Sequence, residues 1–171
     1  MITDGVIYLR APEPIDLEPM YEVENDRSLW LFSAVRAPMS KYRIKEFVTS
    51  YDANILATDS GRFTACRVED NSVVGFVDYF ELDAVNRRAG IGLVIRHDER
   101  GHSYGTRCIS LLADYFGGEL GLHSLWAVIS QSNKASQASF EAAGFKSSGC
   151  LRSWIRNGQS YTDALIYQRI L

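Results

Sequence analysis

Apolar and polar positions alternate with a period of two across residues 5–10, which predicts a strand near the start of the chain. Asp16 is placed to cap a short helix that turns Met20 and Val23 inward, and Ser40 is placed to cap a second. In that second helix Ile44, Phe47, Val48, Tyr51 and Ile55 recur at three-and-four spacing, which predicts one buried face reaching Ile55. Strand-type runs follow at 63–68, 73–82 and 88–95. Turn residues at 70–72 and 83–86 separate them, so the three form an antiparallel meander.

Beyond a polar loop the period becomes helical. From Thr106 onward Cys108, Ile109, Leu112, Tyr115 and Phe116 share one face, and Gly117-Gly118 ends it. Residues 124–130 read as a short apolar strand, and Asn133 caps a small-residue helix that stops at Gly144. Two last strands flank Asn157-Gly158, a two-residue hairpin signal. Crossovers through the Thr106 and Asn133 helices require a mixed sheet. The expected architecture is therefore α/β, one domain over residues 1–171, with a mostly antiparallel seven-stranded sheet flanked by about four helices.

With 171 residues, 46% of them hydrophobic, the chain can bury a core without disulfides. A formal net charge of -3 argues against general affinity for nucleic acid or anionic membrane, which requires clustered Lys and Arg. The charge is uneven: residues 1–75 hold 12 acids and 8 bases, residues 76–171 hold 9 acids and 10 bases. Cys66, Cys108 and Cys150 are odd in number and lack CxxC spacing, so they read as reduced core residues and no metal site is expected. No apolar stretch approaches the roughly 20 residues that span a bilayer, and no basic-then-apolar leader opens the chain. A cytoplasmic protein is expected.

The passage Arg88-Ala-Gly-Ile-Gly-Leu-Val-Ile95, Arg100-Gly-His-Ser-Tyr-Gly105, Thr106-Arg-Cys-Ile runs from strand through glycine-bearing loop into helix. Unpartnered N–H groups at a helix start, its dipole and two loop glycines suit a phosphate group. Five arginines between Arg87 and Arg107 add to the field. By itself such a loop fits an ordinary α/β turn equally well. The three-glycine dinucleotide fingerprint and the P-loop Gly-Lys-Ser/Thr are not met, although a nucleotide-binding protein of another α/β family stays open.

Three motifs stand in order at fitting separations: the 100–105 loop, Asn133-x-x-Ser136-x-x-x-Phe140-x-x-x-Gly144-Phe145, and Asn157-Gly-Gln-x-Tyr-x-Asp163. With them the chain resembles the GNAT superfamily of acyl-CoA-dependent N-acetyltransferases. Within it, the chain is similar to the branch of ribosomal-protein N-terminal acetyltransferases and spermidine acetyltransferases, over residues 6–167. The resemblance implies acetyl-CoA (coenzyme A) as cosubstrate. Its pyrophosphate would be held by the loop of Arg100, Gly101, His102, Ser103, Tyr104, Gly105 and Thr106. An extended pantetheine arm pairs with an exposed strand edge, which suits Leu93, Val94 and Ile95 through main chain. The same donors suit the oxyanion formed when an amine attacks a thioester. Asn133 is an N-cap by type and, by the resemblance, a ligand of the cofactor arm.

Phe140 stands where the family has a tyrosine whose hydroxyl protonates the departing thiolate; here it reads as a core aromatic that also touches the cofactor. A thiol of pKa about 8.5 is already a fair leaving group, so one missing donor costs about 1–3 kcal/mol, roughly 5–150-fold in rate. Ser136, one turn earlier on the same face, or a water is the substitute. Positions where relatives carry a glutamate read Ala89-Gly90-Ile91-Gly92, which leaves Asp78 and Glu81 as bases. Alternation puts these on opposite faces, and Asp78, an apparently unpaired charge beside Phe76 and Phe80, is preferred. His97 and His102 read as solvated loop residues.

Polyamine enzymes of the branch carry a glutamate pair where this chain reads 30–38, including Arg36, which would repel a polycation. A protein or peptide N-terminus or another small amine is the favoured acceptor. Trp30, Phe32 and Trp154 are either groove or core. The expected activity is direct acetyl transfer in a ternary complex. A degenerate acyl-CoA binder and a polyamine acetyltransferase are the alternatives, and homo-oligomerisation stays open.

Overall fold

A computed structural model describes residues 1–33, 36–50 and 54–171. Its strands are Ile2–Thr3 (β1), Ile7–Arg10 (β2), Gly61–Arg67 (β3), Val73–Asp83 (β4), Arg88–Ile95 (β5), Ser124–Ser130 (β6), Lys146–Asn157 (β7) and Ser160–Ile170 (β8). Its helices are Leu17–Asn25 (α1), Lys41–Thr49 (α2), Tyr104–Gly118 (α3) and Lys134–Ala142 (α4). The strands form one sheet in the order β1-β2-β3-β4-β5-β6-β8-β7. Every pairing is antiparallel except β5 with β6.

That parallel pairing is short. It joins Arg88, Ala89 and Gly90 to Ser124, Leu125 and Trp126 and stops, although β5 continues to Ile95 and β6 to Ser130. On their outer sides both strands stay paired along their length, β5 with β4 from Gly75↔Ile95 onward and β6 with β8 through Ser130↔Ala164. The sheet is thus two antiparallel halves joined by a brief seam, with a fork open beyond Gly90.

Alternation along the strands builds two cores. Ile7, Leu9, Val77, Tyr79, Ala89, Ile91, Leu125, Ala127 and Ile129 pack with α3 and with Phe140 and Ala143 near the end of α4. On the opposite face Phe76 packs with Met20, Val23, Ile44 and Val48 of α1 and α2. The crossover from β5 to β6 runs through α3, as expected. The crossover through α4 carries β7 past β6, and β8 inserts between them.

Several expectations are corrected. The sheet has eight strands because β1, two residues long, pairs with β2; so short a strand shows no period. It forms because Asp4 Oδ1 accepts from the N–H groups of Val6 and Ile7 and Gly5 is left-handed at φ +85, which folds the chain back. The second helix ends at Thr49, where the Thr49 and Ser50 hydroxyls bond back to helix carbonyls; Ile55 starts a separate 3-10 turn, and Tyr51 lies outside the described residues. Phe47 is 40% exposed, so the buried face of α2 is Ile44 and Val48. The third helix starts at Tyr104, two residues before Thr106, and includes Gly117-Gly118 as its last turn.

Asp16 occupies the N-cap position of α1 without capping it. Its carboxylate, fully buried, instead takes both Arg10 Nη1 (2.6 Å) and Nη2 (2.8 Å), the Glu13 N–H and the Thr64 hydroxyl. The Asp16 hydrogen bond and charge raise the affinity of the Arg10 guanidinium for its proton. The cluster fastens the start of α1 to β2 and β3. Asp16→Ala removes one partner of a buried pair, so it should lower the unfolding free energy by about 3 kcal/mol or more in a denaturant titration.

Candidate active site

The loop after β5 prepares the start of α3 for an anion. Gly101 is left-handed at φ +85 and so is Ser103 at φ 61. These two reversals turn the chain into the helix, and the first intrahelical bond there is Arg107 N–H to Ser103 C=O at 3.2 Å. Among the described residues no oxygen accepts from the N–H groups of Tyr104, Gly105 and Thr106. Gly105 is needed for close approach: a Cβ there would lie 3.3 Å from both Leu93 Cδ1 and Ser139 Oγ. The glycine therefore lets β5, α3 and α4 meet at this point.

The arginine field is narrower than five cations suggest. Arg88 pairs with Asp83, Arg96 with Glu22 and Asp98, and Arg107 with Asp4. Arg87 and Arg100 donate to the carbonyls of Gly121 and Ile95, so their charge is not offset by a bonded carboxylate. Arg100 is the one within the loop. His102 is exposed, stacked on Tyr104 with centroids 5.5 Å apart, and Tyr104 turns its ring into the core. The loop thus offers main chain and Arg100 rather than imidazole chemistry.

Leu93 and Ile95 pack toward the α3 core and Val94 toward the α1–α2 core. Their side chains are used on the two faces of the sheet, while the β5 edge toward β6 is unpaired beyond Gly90. This free edge leads to the N–H groups of α3. The geometry fits an extended amide-bearing arm that ends in a pyrophosphate.

On α4, Asn133 Oδ1 accepts from the Ser136 N–H at 3.2 Å, so it caps the helix; its Nδ2 bonds to nothing among the described residues. Ser136 is half-buried and its hydroxyl likewise bonds to nothing described. Phe140, 1% exposed, packs edge-on to Phe145 with centroids 5.0 Å apart. Its packing role is plain in this contact.

Asp78 is not unpaired. Arg62 stands directly opposite it on β3 and donates Nε to Oδ1 at 2.6 Å and Nη2 to Oδ2 at 2.9 Å, while Arg62 Nη1 reaches Glu24 of α1 at 2.6 Å. Against the opposing effect of burial, the neighbouring carboxylates raise the Arg62 pKa; by formal charge the trio sets one guanidinium against two carboxylates. The sequence supplies no signal for it until the register of β3 on β4 is known. Glu81 is exposed in a bulge at φ 50, outside this cluster.

One further residue, Ser139, was missed in sequence, and Asp163 of the closing motif gains a partner. Ser139, three positions after Ser136, brings a hydroxyl against Gly105, and its helical spacing was the available signal. Asp163 accepts the Ser153 N–H at 2.8 Å, which secures a bulge where Ser153 sits at φ 49. This gives the closing motif a structural cause. Phe32 and Trp154 are 45% and 61% exposed, so neither is core. Trp30 is half-buried and donates to Glu24 C=O. Arg36 donates to Arg156 C=O at 2.7 Å and to Leu31 C=O, which ties the α1–α2 connection to the β7–β8 hairpin. Ala34 and Val35 of the same connection lie outside the described residues.

The model of the acetyltransferase (GNAT) domain matches residues 7–146. The spermidine N(1)-acetyltransferase of Escherichia coli K12 is 26% identical over 93% of this chain and 83% of its own. "Putative ribosomal N-acetyltransferase YdaF" of Bacillus subtilis is 29% identical over 94% and 89%. Among solved structures, spermidine N-acetyltransferase from Vibrio cholerae, in complex with CoA and spermine, superposes with a TM-score of 0.85 at 20% identity, covering 98% of this chain and 96% of that one. The fork, the free N–H groups beside it and a domain match spanning most of the residues agree: the chain belongs to the GNAT acetyltransferase family.

Proposed function

We propose that the protein moves an acetyl group from acetyl-CoA to a primary amine held on the α1–α2 face of the sheet, by direct transfer with both substrates bound. The observation that carries this reading is the junction of the free β5 edge with the unpartnered N–H groups of α3. When bound, coenzyme A supplies the activated thioester. The N–H groups of Tyr104, Gly105 and Thr106, with Arg100 and the Ser139 hydroxyl at the rim, hold the pyrophosphate. The main chain of Leu93, Val94 and Ile95 pairs with the amide-bearing arm, and Asn133 Nδ2 donates to it. The Ser136 hydroxyl relays to the departing thiolate the proton that the amine nitrogen sheds once it has bonded to the carbonyl carbon, giving one proton as it receives another. Asp78, aimed by Arg62, orients the amine and takes its proton directly or through a water.

Covalent transfer through cysteine is disfavoured. Burial pushes the Cys108 thiol up to about 12 and raises that of Cys66, so both stay protonated. Cys150 is exposed rather than core as expected, and its thiol lies 3.8 Å from Asp163 within the β7–β8 hairpin, not at the start of α3.

The acceptor is a small cationic amine or a peptide N-terminus. Acidic groups support the first: in addition to Asp78 and Glu24 around Arg62, a separate cavity of about 120 Å³ between the end of α1 and the turn after β5 is lined by Glu22, Asp26 and Asp98 as well as Arg96 and His97. The spermidine enzymes among the relatives support the same choice, whereas the ribosomal-type relative from Bacillus supports the second. A non-catalytic acyl-CoA binder is the second reading, favoured by the missing hydroxyl at Phe140.

Thiol release from acetyl-CoA should depend on an added amine, tested across spermidine, small monoamines and peptides; tight coenzyme A binding without release selects the second reading. Asp78→Asn should lower kcat/KM by about a hundredfold, mainly through kcat. A rise in amine KM with kcat unchanged would make Asp78 an orienting group only. Ser103→Gly relieves a left-handed side chain and should raise stability by roughly 1 kcal/mol while keeping coenzyme A affinity, read by thermal denaturation and calorimetry.

A further inference from the structure

The strand fork is closed on one face and open on the other. Toward α3, Ile91 and Ala127 are 2% exposed and Ile129 is 5% exposed, packed in the same core as Phe140. Toward α1 and α2, Val94 is taken up by that core, and the β5 positions between it and the end of the seam are Gly90 and Gly92, which differ. A Cβ on Gly90 would lie 2.3 Å from Phe80 Cε2, so the Phe80 ring already fills that place. A Cβ on Gly92 would meet only Phe80 Cε1, at 3.8 Å, an ordinary contact. Space over Gly92 is therefore open, two residues past the last β5–β6 pair.

The surroundings are apolar. Phe80 stands edge-on to Trp126 with centroids 5.2 Å apart, both half-buried, and Val128, next along the same face of β6, is 37% exposed. An arm anchored at the start of α3 and laid along the free edge passes Ile95 and reaches Gly92 after about 10 Å at the rise of a strand. Its reactive end then points to this opening. Hydrocarbon continuing beyond a thioester would leave the closed face and enter the apolar one.

We infer that Gly92, Phe80, Trp126 and Val128 form an acyl subsite that accepts short straight acyl chains longer than acetyl. The inference rests on the acyl-CoA reading above. Gly92 is its determinant, because any side chain there occupies the opening from the β5 side. The apolar walls favour hydrocarbon over the acceptor's ammonium, for which Asp78, the cross-strand partner of Gly92, supplies charge on the same face.

The test uses S-ethyl-, S-butyl- and S-hexyl-coenzyme A, thioethers that cannot transfer a group, with binding followed by calorimetry. Each methylene that enters the subsite should tighten binding about fourfold in the wild-type protein. Gly92→Val suits a strand and sets its Cβ in ordinary contact with Phe80, and it should cut the gain of S-hexyl over S-ethyl by about tenfold or more. Turnover should follow the same order, with hexanoyl-CoA losing more than acetyl-CoA. Coenzyme A itself is the control for folding and for the anchor at α3. Equal affinity for all three thioethers, or the same chain-length preference in Gly92→Val, overturns the subsite while coenzyme A binding preserves the acyl-CoA reading. A Gly92→Val protein with higher amine KM and unchanged chain-length preference assigns the opening to the acceptor instead. Failure of coenzyme A to bind the wild-type protein overturns both.

Discussion

The short seam between β5 and β6 is the constraint on which the rest of the molecule depends. Each strand is fully paired on its outer side, β5 to β4 and β6 to β8, and the two share only Arg88–Gly90 with Ser124–Trp126. Beyond that seam two rows of backbone groups face one another without bonding. Unpaired edge groups inside a fold are costly unless water or a ligand satisfies them. A fork of this kind is therefore both a gap in the sheet and a binding surface for an extended, amide-rich chain.

The two cores keep the fork open by holding its arms apart. Ile91, Ala127 and Ile129 are locked into the α3 core, and Val94 leans on the α1–α2 core, so β5 and β6 cannot close without unpacking one face. Gly105 brings α3 and α4 to the same point from the side, which places the helix start at the end of the fork. Rigid packing and an unsatisfied edge belong to one arrangement.

Charge is distributed by the same logic. The start of α3 presents free main-chain N–H groups and Arg100, while most of the nearby arginines already have acidic partners. On the α1–α2 face Arg62 gathers Asp78 and Glu24 into a fixed group of net negative sign. One end of the site suits phosphate and the other suits an ammonium.

Period and punctuation in the sequence determined most of the elements, because alternation, caps and the Asn157-Gly158 turn are local properties. The loop at 100–106 was legible for the same reason: glycines, a strand before and a helix after are adjacent in the chain. β1 and the early end of α2 were not, since two residues carry no period and a helix stop made by back-bonding hydroxyls leaves an apolar pattern running past it. Asp16 read as a cap because its partners Arg10 and Thr64 lie on strands whose approach no spacing reveals. Asp78 read as unpaired because Arg62 meets it only through the β3–β4 register. What the sequence by itself determined was most of the elements and the apolar faces of most of them. Where β5 and β6 part, which charges neutralise one another and which glycine faces open space depended on contacts between segments far apart in the chain, and only the tertiary structure decided them.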